Sequence, residues 1–265
     1  MNILHLSDIH FRQKYDICDE GYKSIFVKMQ NPLISLKKTL DILPTKKAID
    51  LVIISGDLTE DGTTEDYHYL KKWLKSEFKD TDIIVTLGNH DIKENFWDAW
   101  YNQKNCHAPY NQITSYPDFT IISFDNSYHN FSDGFVDKQQ MDWLKTALEV
   151  HKNNPIMLVT HHHLLACQSS MPIWPGTQEF LKIIAPYNIS CILNGHTHHP
   201  YTAEINKIPY FTAPSMSFIG EDENNNSVRF EERFGCQLYT VVQGHIVHQT
   251  TENFIPGHIL KTIQF

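Results

Sequence analysis

Five apolar runs of strand length each lead into side chains that bind metals, and no other feature of the chain constrains its fold as much. Ile3-Leu4-His5-Leu6 leads to Asp8-Ile9-His10, and Leu51-Val52-Ile53-Ile54 leads to Gly56-Asp57. Ile83-Ile84-Val85 precedes Gly88-Asn89-His90-Asp91. Ile156-Met157-Leu158-Val159 precedes the run His161-His162-His163, and Cys191-Ile192-Leu193 precedes Gly195-His196-Thr197-His198. Short, nearly continuous apolar runs separated by helical patterns are the signature of a parallel sheet with covered faces. Open α/β sheets gather ligands beyond the carboxyl ends of their strands, so five such ends can converge on one place.

At 265 residues and 41% apolar, the chain is expected to form one domain, 1–265, around a substantial core. Its net charge of -9 argues against a long nucleic-acid or anionic-membrane partner, either of which asks for a basic face. The lysine pairs 37–38, 46–47 and 71–72 read as solvated helix faces and loops. No apolar run approaches membrane-spanning length, and Met1 to Leu6 enters a strand directly, so no signal peptide is expected. Five widely spaced cysteines without a CxxC pair point away from a disulfide framework and toward the cytoplasm.

Strands and helices alternate along the chain. Phe11 to Gln30 reads as a loop or lid. Asn31-Pro32 opens a helix with Leu33, Leu36, Leu40 and Leu43 as its apolar stripe. Thr63 or Thr64 caps a second helix that turns Tyr67, Leu70, Leu74 and Phe78 inward. A short aromatic helix spans 94–101, residues 102–117 read as irregular, and a strand at 119–124 ends at Asp125. Asp137 and Gln140 form a capping box for a helix through Val150, and another helix lies near 177–185. The remainder, with runs 208–213, 236–242 and 245–250, reads as strands and hairpins, and the polar stretch 220–226 as a surface loop.

Seven of the sixteen histidines lie in or beside the five motifs. Imidazoles, carboxylates and one amide, with no thiolate, suit divalent manganese, iron, zinc or cobalt rather than copper(I) or iron–sulfur chemistry. Asp8, His10, Asp57, Asn89, His161, His196 and His198 are too many for one ion and about right for two that share a carboxylate. Paired ions roughly 3.5–4 Å apart clamp the attacking and leaving oxygens of phosphoester hydrolysis. Each motif alone is weak, since Gly-Asp after a strand is most often a turn. Five of them in order, each after a strand, is a different matter.

These segments resemble the calcineurin-like metallophosphoesterase family, and within it the class III cyclic-nucleotide and glycerophosphodiester phosphodiesterases. The resemblance covers residues 1 to about 215. It implies a four-layer α/β/β/α sandwich with a dinuclear site at one edge of the paired sheets. It also implies that Asp8, His10, Asp57 and His198 hold one ion, and that Asp57, Asn89, His161 and His196 hold the other, with Asp57 bridging. His90 matches the catalytic histidine that touches substrate, and Asn89 and His198 lie against substrate as well. The expected activity is hydrolysis of a small phosphodiester, 3',5'-cyclic AMP first, by a hydroxide carried on the two ions. Alternatives are a phosphomonoesterase, a DNA exonuclease, or a metal-free interaction scaffold on the same fold. The last would show ligand losses, and none is seen.

In an extended segment His161 and His163 face the same way, so the residues alone leave either as the donor; the resemblance selects His161. His162, His163 and His199 are expected around the ligands, Asp125 in a turn or at the pocket rim, and His5 packed within its strand. Glu60, Asp61 and Asp91 can orient site imidazoles or serve as solvated loop acids. Phe96, Trp97, Trp100 and Tyr101 are mostly core. Trp174, between prolines, is expected to line the substrate entrance or to pack on those prolines.

Overall fold

The computed structural model describes residues 1–43, 48–223 and 226–264; the lysine pair 46–47 and Asn224-Asn225 lie outside them. The elements run β1 (Asn2–Leu6), α1 (Pro32–Ile42), β2 (Leu51–Ser55), α2 (Thr64–Phe78), β3 (Asp82–Thr86), α3 (Lys93–Tyr101), β4 (Gln112–Ser115) and β5 (Thr120–Ser123). They continue with α4 (Lys138–His151), β6 (Ile156–Val159), α5 (Thr177–Ile184), β7 (Ile189–Asn194), β8 (Tyr201–Ile205), β9 (Ile208–Thr212), β10 (Phe218–Glu223), β11 (Ser227–Glu232), β12 (Phe234–Val242), β13 (His245–Phe254) and β14 (Ile259–Gln264).

Two sheets stack face to face. One has the order β13-β12-β1-β2-β3 and the other β4-β5-β6-β7-β9-β8. Strands β1–β2–β3 run parallel, as do β5–β6–β7–β9, while β12, β13, β4 and β8 add antiparallel edges. Strand parity assigns the layers, because successive side chains point to opposite faces. Leu4, Leu6, Val52 and Ile54 join Leu36, Leu40, Tyr67 and Leu70 beneath α1 and α2. Ile3, Leu51 and Ile53 face the other way and meet Ile121, Met157, Val159 and Leu193 of the second sheet. That sheet's outer face packs Ile122, Leu158 and Ile192 against Leu144, Leu148, Phe180 and Ile184 of α4 and α5. The result is the expected α/β/β/α sandwich.

Local signals behave as their chemistry dictates. The Asn31 side chain caps α1 by accepting from Leu33 N, and Thr63 and Asp137 both close capping boxes, with Asp66 and Gln140. Within the stretch read as irregular, Gln112–Ser115 forms β4, an edge strand on β5. The polar stretch at 220–226 is not a plain loop: Phe218–Glu223 is β10, paired with β11. Cross-strand pairing to Val228 and Phe230 holds a polar segment that has no period of its own to announce it. Strands β10, β11 and β14 make a third, small sheet, whose Phe218, Phe230, Leu260 and Ile263 pack on Ile25, Phe26 and Met29. The segment read as a lid thus has a core of its own beside the metal motifs. Among the described residues no helix is long and apolar enough to cross a membrane.

Candidate metal centre

All five motifs leave the carboxyl ends of parallel strands on the same side of the sandwich. Asp8 and His10 follow β1, Asp57 follows β2, Asn89 and His90 follow β3, His161 follows β6, and His196 and His198 follow β7. Asp8, His10, Asp57, His196 and His198 all have left-handed backbone, with φ between 48 and 71°. Such conformations in non-glycine residues are held only where the surroundings impose them, and they gather at functional sites. Hydrogen bonds between the loops impose them here: Asp8 N donates to Gly56 O and His10 N to Asp57 O at 3.1 and 2.9 Å. Gly56, at φ 98°, is required for space as well, since a Cβ there would sit 2.3 Å from His161 Nδ1.

Two groups hold the expected ligands with charged or imidazole donors. Ligand atoms of Asp8, His10, Asp57 and His198 lie within 4.8 Å of one another, and so do those of His161, His162 and His196. Asp57 reaches both groups, with Oδ2 3.5 Å from His10 Nε2 and 3.3 Å from His161 Nε2. His198 Nε2 is 3.4 Å from Asp8 Oδ1 and 3.1 Å from His10 Nε2. The outer ring nitrogens are fixed by the protein: His10 Nδ1 by Glu60 at 2.7 Å, His161 Nδ1 by Ser55 O at 2.8 Å, and His198 Nδ1 by Phe218 O at 2.7 Å. Metal-binding histidines carry such outer partners, which leave the other nitrogen free to coordinate.

Among the described residues, several buried polar atoms on this surface have no hydrogen-bond partner, Asn89 Oδ1, His162 Nε2 and His196 Nε2, and His161 Nε2 has only the Asp57 carboxylate at 3.3 Å. A buried polar group left unsatisfied is costly, and native proteins rarely keep several together without an ion or water. The donor set therefore fits divalent cations. Charge agrees. Burial alone would raise the Asp57 carboxyl, but the His161 and His90 imidazoles outweigh it and hold it well below the usual carboxylate range. Burial likewise disfavours a charged His161, yet Asp57 pushes it up to about 9. The carboxylates call for positive charge at this place.

His90 belongs to neither group but clusters with Glu60 and His10, their ligand atoms within 4.8 Å of one another. Its backbone N donates to Asp57 Oδ1 at 2.9 Å, and its Nδ1 lies 3.1 Å from Glu60 Oε2. Burial opposes its charged form, but Asp57 and Glu60 prevail and push it up to about 10. It lines a cavity of about 590 Å³ that opens over Asp57, Asn89, His196 and His198. Tyr22, Phe218 and Phe230 form one wall and Glu221 and Asp222 part of the rim.

Several expectations are corrected by these positions. Trp174 does not line the entrance: it is 1% exposed and packs on Phe124 and Phe180 in the α4–α5 core. Asp125 is not at the rim but fully buried, paired with Lys93 and accepting from Tyr110 N, and its Oδ1 accepts from Ser127 N in a local turn. Asp61 binds Lys23 and His129, and Asp91 gathers Tyr67 Oη with the amides of Leu58 and Gly88, so neither orients a site imidazole. Glu60 does so for two. In the histidine run it is His161 that faces Asp57, while His163 Nε2 turns to Met171 O at 3.1 Å. His5 is packed, as expected, between Ser55 Oγ and Tyr239 Oη. The aromatic wall was missed, because Tyr22, Phe218 and Phe230 are distant in sequence and join only through the third sheet.

Residues 1–200 match the family model described as calcineurin-like phosphoesterase. The chain belongs to that family. It is accordingly a metal-dependent phosphoesterase, with its Asp/His donor cluster intact. The calcineurin-like chain is 24% identical over 262 residues to a "probable cyclic nucleotide phosphodiesterase" of Rhodococcus erythropolis, covering 93% of this chain and 81% of that one. It is 27% identical to a "probable glycerophosphodiester phosphodiesterase GpdQ" of Arcobacter nitrofigilis, over 82% of this chain and 79% of that relative. Its fold is similar to that of a dimetal phosphatase from Danio rerio, with a TM-score of 0.56 at 10% identity, covering 94% and 98% of the two chains.

Proposed function

We propose that this phosphoesterase hydrolyses small phosphodiesters, with a 3',5'-cyclic nucleotide such as cyclic AMP as its first substrate. Two divalent ions of the manganese, iron or zinc type would share Asp57, one held with Asp8, His10 and His198, the other with Asn89, His161 and His196. The position of Asp57 within 3.5 Å of an imidazole from each donor group supports the bridge. Bound there, such ions supply a nucleophile at neutral pH and neutralise charge developing on the phosphoryl oxygens.

The protein's own contribution is centred on His90. Glu60 holds its Nδ1, which leaves Nε2 to give a proton to the departing alkoxide, and an alkoxide is the poor leaving group of an unactivated diester. Cations held near Asp57 would oppose the pull of the carboxylates on this imidazole. Asn89 and His198 flank the same cavity and position the phosphoryl group.

The observation that carries the choice of a diester is the cavity rim. Asp222 disfavours the second negative charge of a monoester, Glu221 being paired with Arg233 at 3.3 Å, and a net charge of -9 disfavours a polyanion. Tyr22, Phe218 and Phe230 provide faces on which a base can stack, in the role wrongly expected of Trp174. The names of the Rhodococcus and Arcobacter relatives lend support to the diester class. We also read the whole chain as one domain working in the cytoplasm, in keeping with five free cysteines.

A side-by-side assay with manganese tests this reading: cyclic AMP, bis-p-nitrophenyl phosphate, a glycerophosphodiester and p-nitrophenyl phosphate. Diesters are expected to show the higher kcat/KM, with cyclic AMP turned over. A higher kcat/KM for the monoester than for every diester overturns the diesterase reading. Diester turnover without cyclic AMP turnover removes only the nucleotide.

A further inference from the structure

His162 lies beside the proposed ligands but has no role among them. It is 1% exposed, and its Nε2 has no partner among the described residues. A neutral imidazole buried with one nitrogen unsatisfied is a loss that a sequence can remove by substituting a phenyl or aliphatic side chain. The ring is instead held firmly. Asn126 Oδ1 accepts from the backbone amides of His161 and His162 at 3.0 and 3.2 Å and lies 3.4 Å from His162 Nδ1. Gly134 backs the ring closely: at φ 73° it leaves no room for a Cβ, which would stand 2.9 Å from His162 Cγ and Nδ1. On the opposite side the His196 ring lies 4.5 Å away, centroid to centroid.

This is the arrangement found at the other site imidazoles. His10, His161 and His198 each have Nδ1 tied to an oxygen and Nε2 turned toward the donors. His162 follows that pattern, with Nδ1 3.4 Å from Asn126 Oδ1 and a ring nitrogen within 4.8 Å of ligand nitrogens of His161 and His196. The cavity lining does not include it, so substrate is not what its free nitrogen meets.

We propose that His162 is a further metal ligand, so that the ion at the β6–β7 edge is bound by three imidazoles, from His161, His162 and His196. This rests on the reading that the site holds ions, and it adds a preference. A site with three nitrogens favours zinc, cobalt or iron over manganese and magnesium more strongly than one with two. The two positions then differ in selectivity, the Asp8–His10–Asp57–His198 group being the harder of the two.

Crystals of the full chain grown with zinc, with anomalous maps at the zinc edge, give a direct answer. The expected result is an ion at the β6–β7 edge with His162 Nε2 at about 2.0–2.1 Å. An ion bound by His161 and His196 with His162 Nε2 beyond bonding distance overturns the proposal and leaves the metal-centre reading standing. No ion at that edge would fail both. In solution, His162→Ala and the ring-preserving His162→Phe are compared with wild type in zinc–manganese competition followed by elemental analysis. Either folded variant is expected to lose tenfold or more in zinc preference at one of two ions. Unchanged competition in both overturns the proposal.

Discussion

The two sheets make unequal contributions to the centre. The five-stranded sheet brings both aspartates, His10, Asn89 and His90, and these are largely tied to one another. Glu60 holds His10 and His90, and Asp57 accepts from His90 N. The six-stranded sheet brings only imidazoles, and two of them, His162 and His196, have a buried nitrogen without a partner among the described residues, while His161 Nε2 meets only the Asp57 carboxylate. One edge is organised mainly by hydrogen bonds and internal charge balance, with Asn89 Oδ1 and Glu60 Oε1 as its unpartnered atoms among the described residues. The other is organised around something the polypeptide does not provide. The difference teaches which half of a metal site is a scaffold and which half is a consequence of binding.

Asp57 is where the comparison is most easily broken, because it touches both edges. Asp57→Asn removes the shared charge, and several kcal/mol of lost electrostatic stabilisation corresponds to a kcat/KM reduced roughly 10³-fold or more. Both metal equivalents should weaken together in elemental analysis. Weakening of one alone would show that the edges act as separate sites.

His90 belongs to the organised edge, yet its proposed work is on substrate. His90→Ala should lower kcat by roughly 10²–10⁴ on an unactivated diester while metal content stays at the wild-type level. A loss of metal would move His90 into the coordination sphere.

Glu60 isolates the carboxylate edge by itself. Glu60→Gln keeps the shape but removes the charge that fixes the outer nitrogens of His10 and His90, a change typically worth 10–100-fold in affinity or activity. The affected ion should be the one with Asp8, His10 and His198. An equal effect at the His161–His196 position would erase the distinction.

The inequality also explains what the sequence discloses. The donors sit in short motifs directly after apolar runs, so strand ends, layer parity and convergence follow from periodicity and the behaviour of α/β sheets. Thr63 and Asp137 are legible as caps because capping is local chemistry. Trp174 misleads for a physical reason: flanking prolines look like an exposed loop, but the indole is large and finds the Phe124–Phe180 core. The aromatic wall is illegible for the opposite reason. Tyr22 and Phe218 are nearly two hundred positions apart, and their meeting depends on a small antiparallel sheet whose polar strand β10 has no alternation to read. Nor could any local pattern show that His162 keeps a buried nitrogen free.

The smallest expected effect is the one that tests the asymmetry itself. A bound ion stabilises whatever it binds by an amount set by its concentration over its Kd, and removal returns that stabilisation. If the imidazole edge depends on the ion while the carboxylate edge holds itself together, chelation should loosen them unequally. The reporters are backbone amides. Thr160 N donates to Leu193 O and Gly195 N to His161 O at the imidazole edge, whereas Asp8 N donates to Gly56 O and His10 N to Asp57 O at the other. Hydrogen exchange of metal-loaded and chelated protein should accelerate at Thr160 and Gly195 about tenfold more than at Asp8 and His10, equivalent to ~1.4 kcal/mol of local stability. Equal acceleration at both edges, or a greater one at Asp8 and His10, would mean that the carboxylates and not the unpartnered imidazoles are what the ions hold in place.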